Sequence, residues 1–387
     1  MSWDGDVFVL DSVRDPRSPM NPDPDFADLR RRPILQARSR LPDGTAQNMW
    51  LLTRYDDVRA FLAAPDTSNR LASLGGLQQP GFFVFADPPD HTRLRRLLTP
   101  EFTARRITAL RPRVIEIVDG FLDDLAQAGP GVDLVPMLAA PLPSRIICEL
   151  LGVPFADREQ FERRSIELIS GEPERQAAVL AEMNAFMGEL VARHRAEPGD
   201  HLLGRLIQDH SGDVSDEELV GVGNLLLMAG HVTTTSMIAS GVLLLLQHPE
   251  QLALVRDDPS VTASAVEELL RFLTVESGGV PRLVTRDLMI GDQVIRAGDV
   301  VRVMLPSANR DAEFVSDADR FDVRREPGRH LAFGHGIHRC LGAPLARLEL
   351  GLLLPALLRR FPTLRLAGPE SGLEFDNAAV RALPVAW

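Results

Sequence analysis

The chain has no lysine, so each of its permanent side-chain cations is an arginine. That bias fits a base-composition preference in coding, and no function is read from it. Cysteine is nearly absent too. Cys148 and Cys340 are the only two and stand in unlike settings, which excludes a disulfide framework. Basic low-complexity runs are missing, and a formal net charge of -12 at pH 7 excludes general nucleic-acid binding. The first residues, Met1-Ser-Trp-Asp-Gly-Asp6, lack the basic region and apolar core of a secretory signal. No apolar stretch is read as approaching the roughly 20 residues that cross a bilayer. The expectation is a cytoplasmic protein that binds neither membrane nor nucleic acid. Repeats and linkers are lacking as well. Although 387 residues would by length alone suggest two or more domains, residues 1–387 are read as a single domain.

What is present is an ordinary globular composition, 45% hydrophobic and 25% charged. The first forty residues, rich in Pro, Asp and Arg, read as an irregular lead-in with one short helix. A strand is expected over Met49–Thr53 and a helix from Tyr55 to Leu62. From Ala64 to Asp87 a stretch bearing Gly, Pro and Phe reads as loop, with Phe82 and Phe83 exposed and available to line a pocket. Asp90, behind Pro88 and Pro89, is placed to cap a helix. On that helix His91 and Arg95 project from one face, as an anion-holding pair or as a solvated basic face.

Helices are expected to dominate from Ala109 to Val153 and from Glu162 to Ala196. Ser215 and Glu218 form a capping box that opens a helix predicted to reach Gln247, about 48 Å long. Apolar on all sides, it must cross a core. Its middle carries Ala229-Gly-His-Val-Thr-Thr-Thr235, where Leu226, Ala229, Gly230, Thr233 and Met237 share a face. Gly230 is expected to open space there, and Thr233 can bond back to the carbonyl four residues earlier. Glu268 and Arg271, three apart on a later helix, can pair. Leu283–Thr285, Met289–Gly298 and Val300–Val303 then read as short strands and a hairpin.

One stretch carries more chemistry than packing needs: Phe333-Gly-His-Gly-Ile-His-Arg-Cys340-Leu-Gly342. Gly334 and Gly336 permit a tight loop, and Pro344 suits a helix's first turn. Leu341, Leu345, Leu348 and Leu352 recur at helical spacing, so Cys340 is expected at a helix N-terminus, where the dipole stabilises a thiolate. Gly342 removes a side chain beside the sulfur, as a flat cofactor would require. On these residues alone a redox thiol, a nucleophile and a soft metal ligand stay open. Cys148, in an apolar run, reads as a small buried residue.

Taken together and in this order, these motifs resemble those of bacterial-class cytochromes P450, from about Trp50 to the C-terminus. The resemblance implies a mainly α fold with a small β region, in one roughly triangular domain that holds haem b (iron protoporphyrin IX). It implies Cys340 as the proximal iron ligand, its thiolate donating electron density. Phe333 would shield the sulfur, and His91, Arg95, Arg282 and His338 would hold the haem propionates. Glu268 and Arg271, with Arg320 as third member, would brace the core. Thr233 matches the distal threonine that organises water and proton delivery to dioxygen.

The residue before that threonine is an acid in the family and is Val232 here, which leaves substrate hydroxyls, ordered water or His231 to replace the usual proton relay. The implied activity is hydroxylation or epoxidation of a hydrophobic secondary metabolite such as a polyketide, macrolide or terpenoid. Phe82, Phe83, Leu226, Ala229, Val232, Gly279 and Val280 are its pocket candidates. Oxidative coupling, desaturation or rearrangement is the alternative within catalysis, and a non-catalytic haem-binding or partner-recruiting protein is the alternative outside it. The sequence shows no flavin or iron–sulfur segment, so electrons are expected from a separate ferredoxin and ferredoxin reductase. Arg93, Arg96, Arg105, Arg106 and Arg113 offer a basic docking surface.

Overall fold

Strand pairing begins where an irregular lead-in was expected. The computed structural model describes residues 1–387 except 1, 5, 6, 10–12, 16, 33, 41–45, 71–78, 159, 161, 162, 165, 166, 168–172, 211, 276–280, 377 and 378. Seven strands, β1 (Ser2–Asp4), β2 (Val7–Val9), β3 (Leu35–Arg40), β4 (Ala46–Leu52), β5 (Thr67–Ser68), β6 (Arg282–Val284) and β7 (Val300–Val303), form one sheet in the order β1-β2-β3-β4-β7-β6-β5. β3 and β4 run antiparallel from Leu35 opposite Leu51 to Arg40 opposite Ala46, and β4 pairs in parallel with β7. Ala37, Met49, Leu51 and Val300 bury their side chains against Phe26 and Leu29. The alternation in Leu35-Gln-Ala-Arg-Ser-Arg40 is short and arginine-rich, too weak to announce a strand before its partner is known.

Helices carry the site and its supports: α1 (Tyr55–Ala63), α2 (Asp90–Leu98), α3 (Arg111–Ala128), α4 (Pro141–Leu151), α5 (Pro173–Ala196), α6 (Asp216–Gln247), α7 (Thr262–Leu273) and α8 (Ala343–Arg360). The described residues divide into two units: Met1–Gly75 with Ser240–Cys340 and Leu373–Arg381, and Gly76–Ala239 with Leu341–Gly372 and Ala382–Trp387.

In the first unit, α1 starts where the Asp311 carboxylate accepts the Tyr55 N–H at 2.9 Å. Val58, Phe61 and Leu62 then pack with Val301, Val303 and Leu331. Each such side chain contributes about 1.5–3 kcal/mol by leaving water.

In the second unit, α6 begins as expected. The Ser215 N–H donates to Glu218 Oε2 at 3.0 Å and the Glu218 N–H to Ser215 Oγ at 3.2 Å, a reciprocal capping box. Glu218 also pairs with Arg93, whose guanidinium donates to the Asp213 carbonyl at 2.7 Å. Close backbone approach needs a glycine here, since a Cβ on Gly221 would lie 1.7 Å from the Pro80 carbonyl oxygen. The Asn224 amide donates to Asn184 of α5 at 2.6 Å.

Two expectations change. By length and composition α6 is apolar enough to span a bilayer, against the reading that no stretch is; its most apolar window is 61% buried, as in the core helix of a globular protein. Scattered Asn, His, Thr and Ser had hidden that run. Asp90 does not cap α2 either: Pro89 holds the cap position and Asp90 is the first helical residue, where its charge faces the positive helix end.

Candidate active site

Cys340 lies two residues ahead of the α8 cap rather than in its first turn. Gly342 is the cap, Ala343 the first helical residue, and Pro344 follows in the first turn. The sulfur is therefore positioned by the loop. Gly334 and Gly336 have φ of 65° and 73°, and a 3-10 turn spans Gly336–His338. The Cys340 N–H donates to the Phe333 carbonyl at 2.8 Å, and the Gly334 N–H to the Leu331 carbonyl at 2.8 Å. A Cβ on Gly336 would sit 2.1 Å from the Leu62 carbonyl oxygen, so only glycine lets this turn rest on the end of α1. Arg282, buried, donates to the same Leu62 carbonyl at 3.4 Å. Phe333 and His338 are half-buried, and Cys340 is exposed, whereas Cys148 is buried as expected. Beyond the loop the buried stripe of α8 runs through Leu345, Leu350, Leu353, Leu354 and Leu357, with Leu341, Leu348 and Leu352 only half-buried.

Just before the loop the chain is pinned by residues that sequence reasoning missed. The Tyr55 hydroxyl donates to the Arg329 carbonyl at 2.5 Å, its ring stacked 3.8 Å from Phe314. The Leu331 N–H donates to Asn309 Oδ1 at 2.7 Å. Tyr55 is the sole tyrosine of the chain, the one signal that could have drawn attention to it.

Glu268 and Arg271 form the expected pair, buried, with Nε–Oε2 and Nη2–Oε1 both at 2.8 Å. The third member is Arg325, not Arg320. Arg325 Nε reaches Glu268 Oε1 at 3.2 Å with its side chain 16% exposed, while the Arg320 side chain is 68% exposed and faces Asp322. The Asp322 N–H also donates to Glu268 and the Val323 N–H to Gln251, turning the chain so that residue 325 comes back to the pair. Arg320 contributes its carbonyl, which accepts from Arg325 at 3.0 Å.

On α6 the Thr233 hydroxyl donates to the Ala229 carbonyl at 2.8 Å, the expected back-bond, and Ser236 does the same to Val232 at 3.0 Å. Ala229 and Thr233 are exposed and Val232 half-buried on a helix whose Leu225–Leu227 and Met237–Leu245 stretches are buried. Gly230 does not open a pocket; a Cβ there would meet the Ile147 side chain of α4 at 2.8 Å, so its role is helix packing. His231 is buried, and burial pushes its pKa down to about 4 despite a hydrogen bond to the Ala140 backbone. A neutral imidazole, roughly 200° around the helix from Thr233, is no substitute for the missing acid.

His91 is buried on α2, its ring 6.2 Å from that of Phe83, and Arg95 is half-buried one turn on. Phe82 and Phe83 are buried, contrary to the exposed loop residues expected, and Leu226 is buried as well. Among the pocket candidates, Ala229 is exposed and Val232 half-buried on α6. Gly279 and Val280 lie outside the described residues. Of the basic surface, Arg93 is paired with Glu218, and Arg113 with Glu116 and Glu149, which leaves Arg96 and Arg105 exposed beside half-buried Arg106.

Among the described residues no group of three or more His, Cys, Asp or Glu side chains is arranged to hold a metal ion. The soft sulfur of Cys340 is a donor type that suits an iron macrocycle, and Arg282 and His338 of the same unit are cations of the type that pairs with carboxylates. The fold and the cysteine loop suit a haem-thiolate oxidoreductase.

The model of the cytochrome P450 family matches residues 174–370. The chain is 41% identical to cytochrome P450-SU2 of Streptomyces griseolus over 99% of its own length and 98% of that protein. It is 42% identical to the mycinamicin IV hydroxylase/epoxidase of Micromonospora griseorubida, over 91% of this chain and 92% of the other. A solved structure of CYP105P1 with filipin I superposes with a TM-score of 0.90 at 38% identity, covering 99% of each chain. The chain belongs to the cytochrome P450 family and is a haem-dependent monooxygenase.

Proposed function

We propose that this cytoplasmic P450 acts as one catalytic domain that hydroxylates or epoxidises a macrolide-like secondary metabolite, drawing electrons from a separate ferredoxin and its reductase. Haem b, when bound, supplies the oxidising chemistry with dioxygen. Cys340 would hold its iron, with Phe333 beside the sulfur, and His91, Arg95, Arg282 and His338 would hold its propionates through charge-assisted hydrogen bonds.

The observation that carries the substrate reading is the partly exposed Ala229–Val232–Thr233 patch, which offers small apolar contacts beside one hydroxyl. Thr233, released from the Ala229 carbonyl, orients a water and passes on its proton. Val232 cannot resupply that proton, so ordered water or a hydroxyl of the substrate must. A polyhydroxylated macrolide fits both needs; among the relatives one is named a mycinamicin IV hydroxylase/epoxidase and another is solved in complex with filipin I. Macrolide aglycones should shift the haem spin state on binding and gain one oxygen atom with a surrogate ferredoxin system. A macrolide series that gives neither result sinks the substrate assignment.

Proton supply is tested separately. Thr233→Ala should lower the product formed per electron pair consumed by roughly tenfold or more. Val232→Glu should change that ratio while haem content stays near parental; equal loss of both would indicate a folding role instead. For docking, the Arg96→Glu, Arg105→Glu double variant should raise the apparent KM for ferredoxin several-fold. The difference should shrink as salt is added, because screening acts on exposed charges. An unchanged KM at low salt would remove this surface from the electron path.

A further inference from the structure

Glu267 adjoins Glu268 on α7 but stands apart from the Glu268 ion pair. Its Oε2 lies 3.1 Å from Nε2 of His330. The other ring nitrogen, Nδ1, accepts the backbone N–H of Ala332 at 3.2 Å. A nitrogen that accepts carries no proton, so the proton sits on Nε2 and is donated to Glu267. Two bonds at opposite ends of the ring thus set both its tautomer and its plane. The His330 side chain is 3% exposed, and its ring lies 6.1 Å from that of Phe333.

Ala332 immediately precedes Phe333, whose carbonyl accepts the Cys340 N–H at 2.8 Å. The Ala332 N–H shares its peptide with the Leu331 carbonyl, which accepts the Gly334 N–H at 2.8 Å, and Gly334 shares its peptide with the Phe333 carbonyl, so a continuous line of polar contacts and two peptides joins the Glu267 carboxylate to the cysteine backbone. Asn309 holds the Leu331 N–H one peptide further from the loop, and Tyr55 the Arg329 carbonyl two peptides further. His330 acts at the step next to it.

We propose that His330, oriented by Glu267, is a positioning residue for the cysteine loop: it fixes the Leu331–Ala332 peptide, and through that the Phe333–Gly334 peptide and the sulfur of Cys340. The proposal rests on Cys340 being the haem ligand. If the Ala332 N–H loses its acceptor, the Leu331–Ala332 peptide is free to tilt, its Leu331 carbonyl shifts from the Gly334 N–H, the Phe333 carbonyl on the Phe333–Gly334 peptide moves in turn, and the Cys340 backbone loses its anchor. The thiolate then exchanges more readily for the thiol. A ring that only filled space would lower melting temperature without changing the iron–sulfur bond in the folded enzyme.

The test uses purified holoenzyme carrying His330→Asn, His330→Gln, His330→Ala or Glu267→Gln. Asparagine places an amide oxygen where Nδ1 stood and keeps the Ala332 acceptor. Glutamine reaches Glu267 but leaves Ala332 without its bond. The readouts are the reduction potential and the rate at which the red-shifted Soret band of the reduced, carbon monoxide-bound enzyme converts to the blue-shifted band of lost thiolate. Parental behaviour is expected for H330N and E267Q, with several-fold faster conversion and a raised potential for H330Q.

Equal rates and potentials in H330N and H330Q would overturn the proposal. Should H330A fail to load haem, the Asn and Gln pair still decides the outcome. A parent enzyme without the red-shifted band would instead overturn the assignment of Cys340 as ligand, a distinguishable failure.

Discussion

Glu268→Ala should destabilise the enzyme by about 3–5 kcal/mol, the usual result of stripping one partner from a buried ion pair. Its carboxylate accepts from Arg271 twice, from Arg325 and from the Asp322 backbone. Without it, the buried Arg271 guanidinium keeps its bonds to the Asn309 and Ala318 carbonyls but has no counter-charge. Glu268→Gln preserves shape and one acceptor, and should fall between alanine and parent. Thermal melts of the haem-loaded protein, together with the yield of loaded protein, give the ordering. An E268A variant that melts with the parent would show that the pair contributes little.

Cys340→Ser should abolish the red-shifted Soret band and lower product formation at least a hundredfold, a barrier increase of about 3 kcal/mol or more. A hydroxyl is a harder and weaker donor than a thiolate, and it withholds the electron density that favours O–O cleavage. Cys148→Ala is the control. That side chain is buried on α4 among apolar neighbours, so its loss should reduce stability modestly and leave the band in place. If the serine variant keeps the band, Cys340 is not the ligand.

Much of this site was legible in the sequence because its parts are local. The capping box of α6, the Thr233 back-bond and the Glu268–Arg271 pair each depend on residues three or four apart, and each formed as expected. What escaped depends on partners distant in sequence. Arg325 meets Glu268 across 57 positions, and Tyr55 meets Arg329 across 274. The resemblance called for an arginine from the irregular stretch after α7 and Arg320 was chosen from it, whereas the turn at Asp322 and Val323 decides which guanidinium returns. The N-terminal strands were missed for a similar reason, since β3 and β4 define each other's register. Gly230 misled because a missing side chain can admit a neighbour as readily as a ligand, and Ile147 occupies that place.

Asn309 deserves a last step. Its carbonyl accepts from Arg271, its Oδ1 from the Leu331 N–H, and its Nδ2 donates to Thr274 at the end of α7. Two segments distant in sequence, the end of α7 and the chain ahead of the cysteine, thus share one residue. A fluctuation that releases the chain ahead of the cysteine must also loosen the end of α7 and uncover the arginine behind it, so these parts open and close as one cooperative unit. If Cys340 is the iron ligand as proposed, thiolate retention is in that sense tied to the stability of the braced core, and the ligand is as secure as the amide that links them.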